Sequence, residues 1–78
     1  MKNPVRLSNK TNYNLFVYKY HNTSMFQLCN LLPEKTTVIN IPYNSHIVIK
    51  KIYDNGFYSV PGETIINTLI NNNFINIS

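Results

Sequence analysis

Few residues of this 78-residue chain have side chains suited to acid–base chemistry. The only carboxylate side chains belong to Glu34, Asp54 and Glu63, and each lies in a predicted turn or at the edge of a predicted element. General acid–base catalysis needs a titratable group in a dry, shaped site, whereas carboxylates in turns are usually solvated. Asp54 begins an Asp-Asn-Gly sequence, so a structural role in a turn already explains it.

One nucleophile–base pair is conceivable, and it would join Cys29 to His21 or His46. No glycine-rich turn or helix start precedes the cysteine, and a free cysteine is usually a small buried hydrophobe. Strand alternation predicts that Cys29 shares a face with Met25 and Leu31. The cysteine and the two histidines also lack the spacing typical of zinc ligands. We therefore expect no enzymatic activity, no cofactor and no metal site.

Basic and aromatic residues together suggest a different chemistry, the binding of nucleic acid. The chain is basic, with a formal net charge of +4, and Lys19 lies between Tyr18 and Tyr20 while Lys50 and Lys51 are adjacent. Aromatic rings on a sheet can stack on bases, and lysines can follow the phosphate backbone. Lysine also guards strand edges, however, and only one arginine is present. A small RNA- or DNA-binding protein that uses these three lysines is therefore the alternative function.

The elements that must position these residues are strands, because apolar residues recur with a period of two over most of the chain. Predicted strands cover residues 15–20, 25–31, 36–41 and 46–53, and the run 5–9 could add a short first strand. Residues 21–24 have turn chemistry and join two of these runs into the clearest hairpin. Pro33 and Pro42 mark further breaks, and Asn55-Gly56 favours a second tight hairpin.

The segment after Gly56 allows two interpretations. We predict a return strand over residues 57–60 that ends at Pro61 and Gly62, followed by one strand or two over 64–71 and 74–77. The alternative is one short helix over residues 63–73, where the isoleucines also have helical spacing. Isoleucine and threonine prefer strands because they are stiff at χ1. Six to seven short strands predict an all-β fold, a small antiparallel sandwich or barrel.

Length and composition set the class of protein. A chain of this length should form a single domain over residues 1–78, with a thin core because it buries only roughly 60% of its unfolded surface. One cysteine excludes an internal disulfide, and no apolar run is long enough to span a bilayer. Residues 1–10 lack the apolar centre of a signal peptide. We therefore expect a protein of the cytoplasm, or of a virion or assembly, that is not secreted.

Asparagine and isoleucine are in excess, with fourteen and ten copies, and alanine is absent. Together with Lys, Tyr and Phe they fill 40 of the 78 positions, and all five residue types have codons rich in A and T. This bias indicates an AT-rich genome, which could be that of a large DNA virus, a phage or another AT-rich organism. A minor virion or assembly component would fit a viral source.

Large apolar side chains occur on both faces of several predicted strands, which is more apolar surface than a small core needs. A closed barrel could hide these residues, whereas a sandwich would point one of each neighbouring pair outward. We predict a non-enzymatic protein–protein interaction or structural module that binds another protein or a second copy of itself. Docking would use strand faces, or an unpaired edge strand added to a partner's sheet. The predicted contact residues are Phe16, Tyr18, Tyr20, Tyr53 and Tyr58.

Overall fold

A computed structural model describes residues 2–78, which form seven β-strands and no helix. The strands are β1 (Asn3–Asn9), β2 (Leu15–His21), β3 (Ser24–Leu31), β4 (Thr36–Ile41), β5 (His46–Asp54), β6 (Ser59–Leu69) and β7 (Phe74–Ile77). The predicted all-β fold of six to seven strands is confirmed. The alternative helix over residues 63–73 is wrong, because most of that segment pairs with β5 as part of β6.

The strands form two sheets that face each other. One sheet has the order β4-β1-β7, with β1 antiparallel to β4 and parallel to β7. The other is antiparallel throughout and has the order β3-β2-β5-β6. The shortest extent of the molecule is 15 Å, as expected for two layers about 10 Å apart. The fold is therefore a small β-sandwich, with one parallel pair in an otherwise antiparallel arrangement.

The core consists of the inward-facing residues of both sheets. Side chains alternate between the two faces of a strand, so Leu15 and Val17 of β2 both point into the core and are fully buried. Ile49 of β5 lies at the centre of its sheet, because it pairs with Val17 on one side and Ile66 on the other. The fully buried apolar side chains are those of Val5, Leu7, Leu15, Val17, Ile47, Ile49, Ile70 and Ile77.

Asn9 is a buried polar residue at the point where the chain passes from one sheet to the other. Its Nδ2 donates hydrogen bonds to the backbone oxygens of Tyr13 at 2.8 Å and Leu31 at 3.0 Å. Its Oδ1 accepts from the backbone nitrogen of Thr11 at 2.9 Å and from the Oγ1 of Thr11 at 2.6 Å. Both donors and both acceptor positions of the amide are used, so the side chain fixes the 10–14 connection without an unsatisfied group.

A β-bulge in the β2–β3 pair makes one predicted side-chain position wrong. Val17 pairs with Cys29 but Tyr18 pairs with Gln27, so Leu28 is an extra residue in β3. Because a bulge reverses the alternation beyond it, Cys29 faces the core while Met25 faces outward beside Tyr20. The prediction that Cys29 and Met25 share a face is therefore wrong.

The predicted strand end at Pro61 and Gly62 is also wrong, since β6 continues through both residues. Proline is tolerated there because β6 is an edge strand with a neighbour on one side only. Pairing with β5 is irregular on either side of Lys50. An added Cβ at Gly62 would lie 3.2 Å from the Lys51 carbonyl oxygen, so glycine permits a close approach of the two backbones.

Candidate protein-binding surface

An aromatic row runs along β2 on the outer face of the four-stranded sheet. Phe16, Tyr18 and Tyr20 alternate with core residues and therefore point away from the other sheet. The register places Val48 beside Tyr18 and His46 beside Tyr20. We call this surface the aromatic face, and its central residues are Phe16, Tyr18, Tyr20, His46, Val48 and Lys50.

The side chains of the aromatic face pack against one another. The ring centroids of Phe16 and Tyr18 are 6.0 Å apart in a tilted arrangement, and those of Tyr20 and His46 are 5.5 Å apart edge to face. Phe16 is only 9% exposed although it lies on an outer face, and Val48 is also buried. Burial raises the pKa of the Tyr18 hydroxyl above its ordinary value. These contacts hold the rings in place before any partner binds.

Polar amides surround this apolar centre. Gln27 and Asn30 lie on β3, where the Gln27 Nε2 donates to the Asn30 Oδ1. On the opposite side, the Asn67 side chain of β6 is hydrogen-bonded to the His46 ring. The aromatic face extends from Asn30 on β3 to Leu69 on β6. The paired residues on this face include Lys50 but no carboxylate. A largely apolar centre with a polar rim is typical of protein–protein interfaces.

Shallow grooves lie beside the exposed end of the aromatic row. One groove of about 400 Å³ runs between Met25 and Asn67 with Tyr20 and His46 in its wall. A second, of about 450 Å³, shares Tyr20 and His46 and continues towards Tyr43. Tyr20 is 37% exposed and lies between the two grooves, so a partner's side chain can contact it from either side.

The structure brings three of the five predicted contact residues together and separates the other two. Tyr53 and Tyr58 lie at the far end of the β5–β6 hairpin, where Phe57 is 93% exposed. The turn is ordered by side-chain hydrogen bonds, since the Asp54 Oδ1 accepts from the backbone nitrogen of Gly56 at 2.8 Å. The hairpin end is thus a second aromatic surface, distinct from the aromatic face, and the sequence-based choice of contact residues omitted Phe57.

The three lysines of the nucleic-acid alternative do not share one face. Lys50 lies on the aromatic face, but the register places Lys19 beside Ile47 and Lys51 beside Leu15, on the core side of the sheet. The Lys51 Nζ lies 3.6 Å from the Glu63 Oε2 and 4.0 Å from the centroid of the Tyr13 ring.

The candidate catalytic residues are also apart. Cys29 faces the core side of the sheet, where burial raises the pKa of its thiol, and His46 lies on the opposite face. His21 is four positions along β2 from Val17, the partner of Cys29, which is about 13 Å in an extended strand. Within residues 2–78, no three His, Cys, Asp or Glu side chains are grouped so that they could hold a metal. The same residues include no helix long and apolar enough to cross a membrane.

Met25 and Val48 of the aromatic face were missed by reasoning from the sequence. Alternation shows which residues of one strand share a face, but only the pairing of strands shows which residues stand beside them. The bulge at Leu28 further changes the face that Met25 occupies.

No protein-family model, curated protein or solved structure matches this chain. The geometry of the aromatic face is therefore the basis for the proposed function.

Proposed function

We propose that this chain is a non-enzymatic protein-interaction module that docks another protein on its aromatic face. The observation that carries this proposal is the row of Phe16, Tyr18 and Tyr20 on a sheet face that no strand within residues 2–78 covers. A few aromatic residues in a packed centre commonly supply most of the binding energy of an interface.

Rigidity of the aromatic face favours binding. A side chain that is already held by its neighbours loses little conformational entropy when a partner arrives. Phe16 and Tyr18 are held in this way, whereas Tyr20 combines a fixed ring contact with an accessible surface. Lys50 adds one positive charge to the face. A carboxylate of the partner opposite Lys50 would fix the orientation of the partner and raise the affinity.

The alternative is an RNA- or DNA-binding protein using Lys19, Lys50 and Lys51. The geometry supports this alternative less, because only Lys50 accompanies the aromatic row and Lys51 is already paired with Glu63. Titration with single-stranded oligonucleotides at several salt concentrations separates the two functions. The alternative fails if Lys50→Glu with Lys51→Glu changes neither the affinity nor its salt dependence.

Site-specific photo-cross-linking tests the proposed function directly. A benzophenone amino acid placed at Tyr20, in cells that carry the natural gene, is expected to form a discrete cross-linked product with one predominant protein. Phe74 is the matched control position, since it is an exposed aromatic residue on the outer side of the other sheet, beside Arg6. Tyr58 serves as a third position and reports on the hairpin end.

The position that forms a cross-linked product shows which surface the partner contacts. A product from position 20 and none from position 74 supports docking on the aromatic face. A product from position 58 alone would move the interaction to the hairpin end and overturn the proposed surface. No product from any of the three positions would contradict the proposed function itself.

A further inference from the structure

One flank of the sandwich lacks charged residues in its strands. The edge strand β3 of the four-stranded sheet and the edge strand β4 of the other sheet lie beside each other on this flank. Neither strand contains a charged residue, although the chain has ten of them. Glu34 and Lys35, in the turn that joins the two strands, have opposite charges and cancel each other.

The edge strand β3 also exposes apolar side chains. Met25, Phe26 and Leu28 are all exposed, and Leu32 extends the exposed apolar surface just beyond the strand. Within residues 2–78, the backbone of residues 24–30 makes hydrogen bonds to β2 and to no other part of the chain. An uncharged, apolar edge with open backbone groups is a surface on which another strand can pair.

The other three edges are less suited to strand pairing. Edge strand β6 contains Pro61, which has no backbone N–H to donate, and it also has irregular pairing with β5 and the charged residue Glu63. Edge strand β7 has only four residues. Edge strand β4 buries Ile39 and Ile41, so Val38 is its one exposed apolar residue. Edge strand β3 has eight residues without a charge or a proline, and its Ser24–Gln27 stretch pairs regularly with β2, so this edge is the most open to a partner.

We propose that a second copy of this chain pairs antiparallel with β3, so that two four-stranded sheets join into one continuous sheet. Two identical strands related by a twofold axis are automatically complementary in their backbone hydrogen bonds. Each copy carries a net charge of +4, and β3 is a place where two copies can meet without opposing lysines on the paired strands. The symmetric contact would place Phe26 and Leu28 of both copies at the junction.

This inference deepens the proposed function, on which it rests, by naming a second copy of the chain as one partner and β3 as the contact. Met25 lies beside Tyr20, so the pairing also joins the aromatic faces of the two copies. A single strand pair buries less area than the ~1,200–2,000 Å² of stable complexes, so we expect a dimer that dissociates on dilution. Added salt should strengthen it, because salt screens the repulsion between two positively charged copies.

Sedimentation equilibrium over a concentration series tests the pairing. Phe26→Lys is expected to abolish the dimer, because two added charges would face each other across the junction. Leu69→Lys is the matched control, since Leu69 and Phe26 are each 55% exposed and lie on opposite edges of the same sheet. Hydrogen exchange of the wild-type protein gives a second measurement, in which amides of residues 24–28 should exchange more slowly as the concentration rises.

Two results would overturn the pairing. One is a wild-type protein that stays monomeric at concentrations up to about 1 mM, with exchange in β3 independent of concentration. The other is a dimer that survives Phe26→Lys but is lost in Leu69→Lys. A monomer that still cross-links to another protein from position 20 would reject the second copy and leave the proposed function standing.

Discussion

Replacement of Asn9 by alanine is expected to lower the free energy of unfolding by about 2–4 kcal/mol, because the change leaves buried polar groups without partners. The Asn9 amide donates to two backbone oxygens, of Tyr13 and Leu31, and accepts two hydrogen bonds from Thr11. Alanine cannot replace any of these bonds, and Asn9 is fully buried, so water has no direct access to the groups left behind. The 10–14 connection between the sheets should loosen as a result.

Urea denaturation followed by circular dichroism measures this effect. Asn14→Ala is the matched control, because Asn14 is an exposed asparagine in the same part of the chain, and the side-chain hydrogen bonds within residues 9–14 join Asn9, Thr11 and Tyr13 without it. The control should change the free energy of unfolding by less than about 0.5 kcal/mol. Equal effects of the two substitutions would contradict the role assigned to the Asn9 amide.

Replacement of Ile49 by alanine is expected to cost about 2–5 kcal/mol of the free energy of unfolding, through lost burial and the cavity left behind. Ile49 is fully buried and lies between Val17 and Ile66 in the centre of the four-stranded sheet. A domain of 78 residues has a total stability of roughly 4–12 kcal/mol, so the variant should be partly or wholly unfolded at 37 °C.

Thermal melting of the Ile49 variant needs a control for strand preference, since alanine is a poorer strand former than isoleucine. Val38→Ala supplies it, because Val38 is an exposed β-branched residue in the middle of β4. The control should lower the melting temperature only slightly. If Ile49→Ala melts like Val38→Ala, the core does not lie between the two sheets as described.

The positions of the strands could be predicted from the sequence because their signals are local. Alternation and turn chemistry located β2, β4 and β5 to within a residue, and Asn55-Gly56 marked the second hairpin correctly. The strand end predicted at Pro61 was wrong because the effect of a proline depends on whether its strand lies at the edge or in the centre of a sheet. That property belongs to the assembled sheet and not to the residue.

The candidate surface could be predicted only in part. Alternation alone places Phe16, Tyr18 and Tyr20 on one face, and the structure agrees. The separation of Tyr53 and Tyr58 follows from the length of the β5–β6 hairpin, which no local pattern encodes. The viral source and the virion role suggested by composition stay predictions, because the geometry of the fold does not report on codon usage.

The affinity of the protein that cross-links from position 20 is the most direct measure of docking on the aromatic face. Tyr20→Ala should weaken its binding by about 30-fold or more, as expected for an aromatic anchor residue of an interface. Phe74→Ala, on the other sheet, should leave the affinity within about twofold of wild type. If Tyr20→Ala remains folded and binds as tightly as the wild-type protein, the aromatic face is not the docking surface.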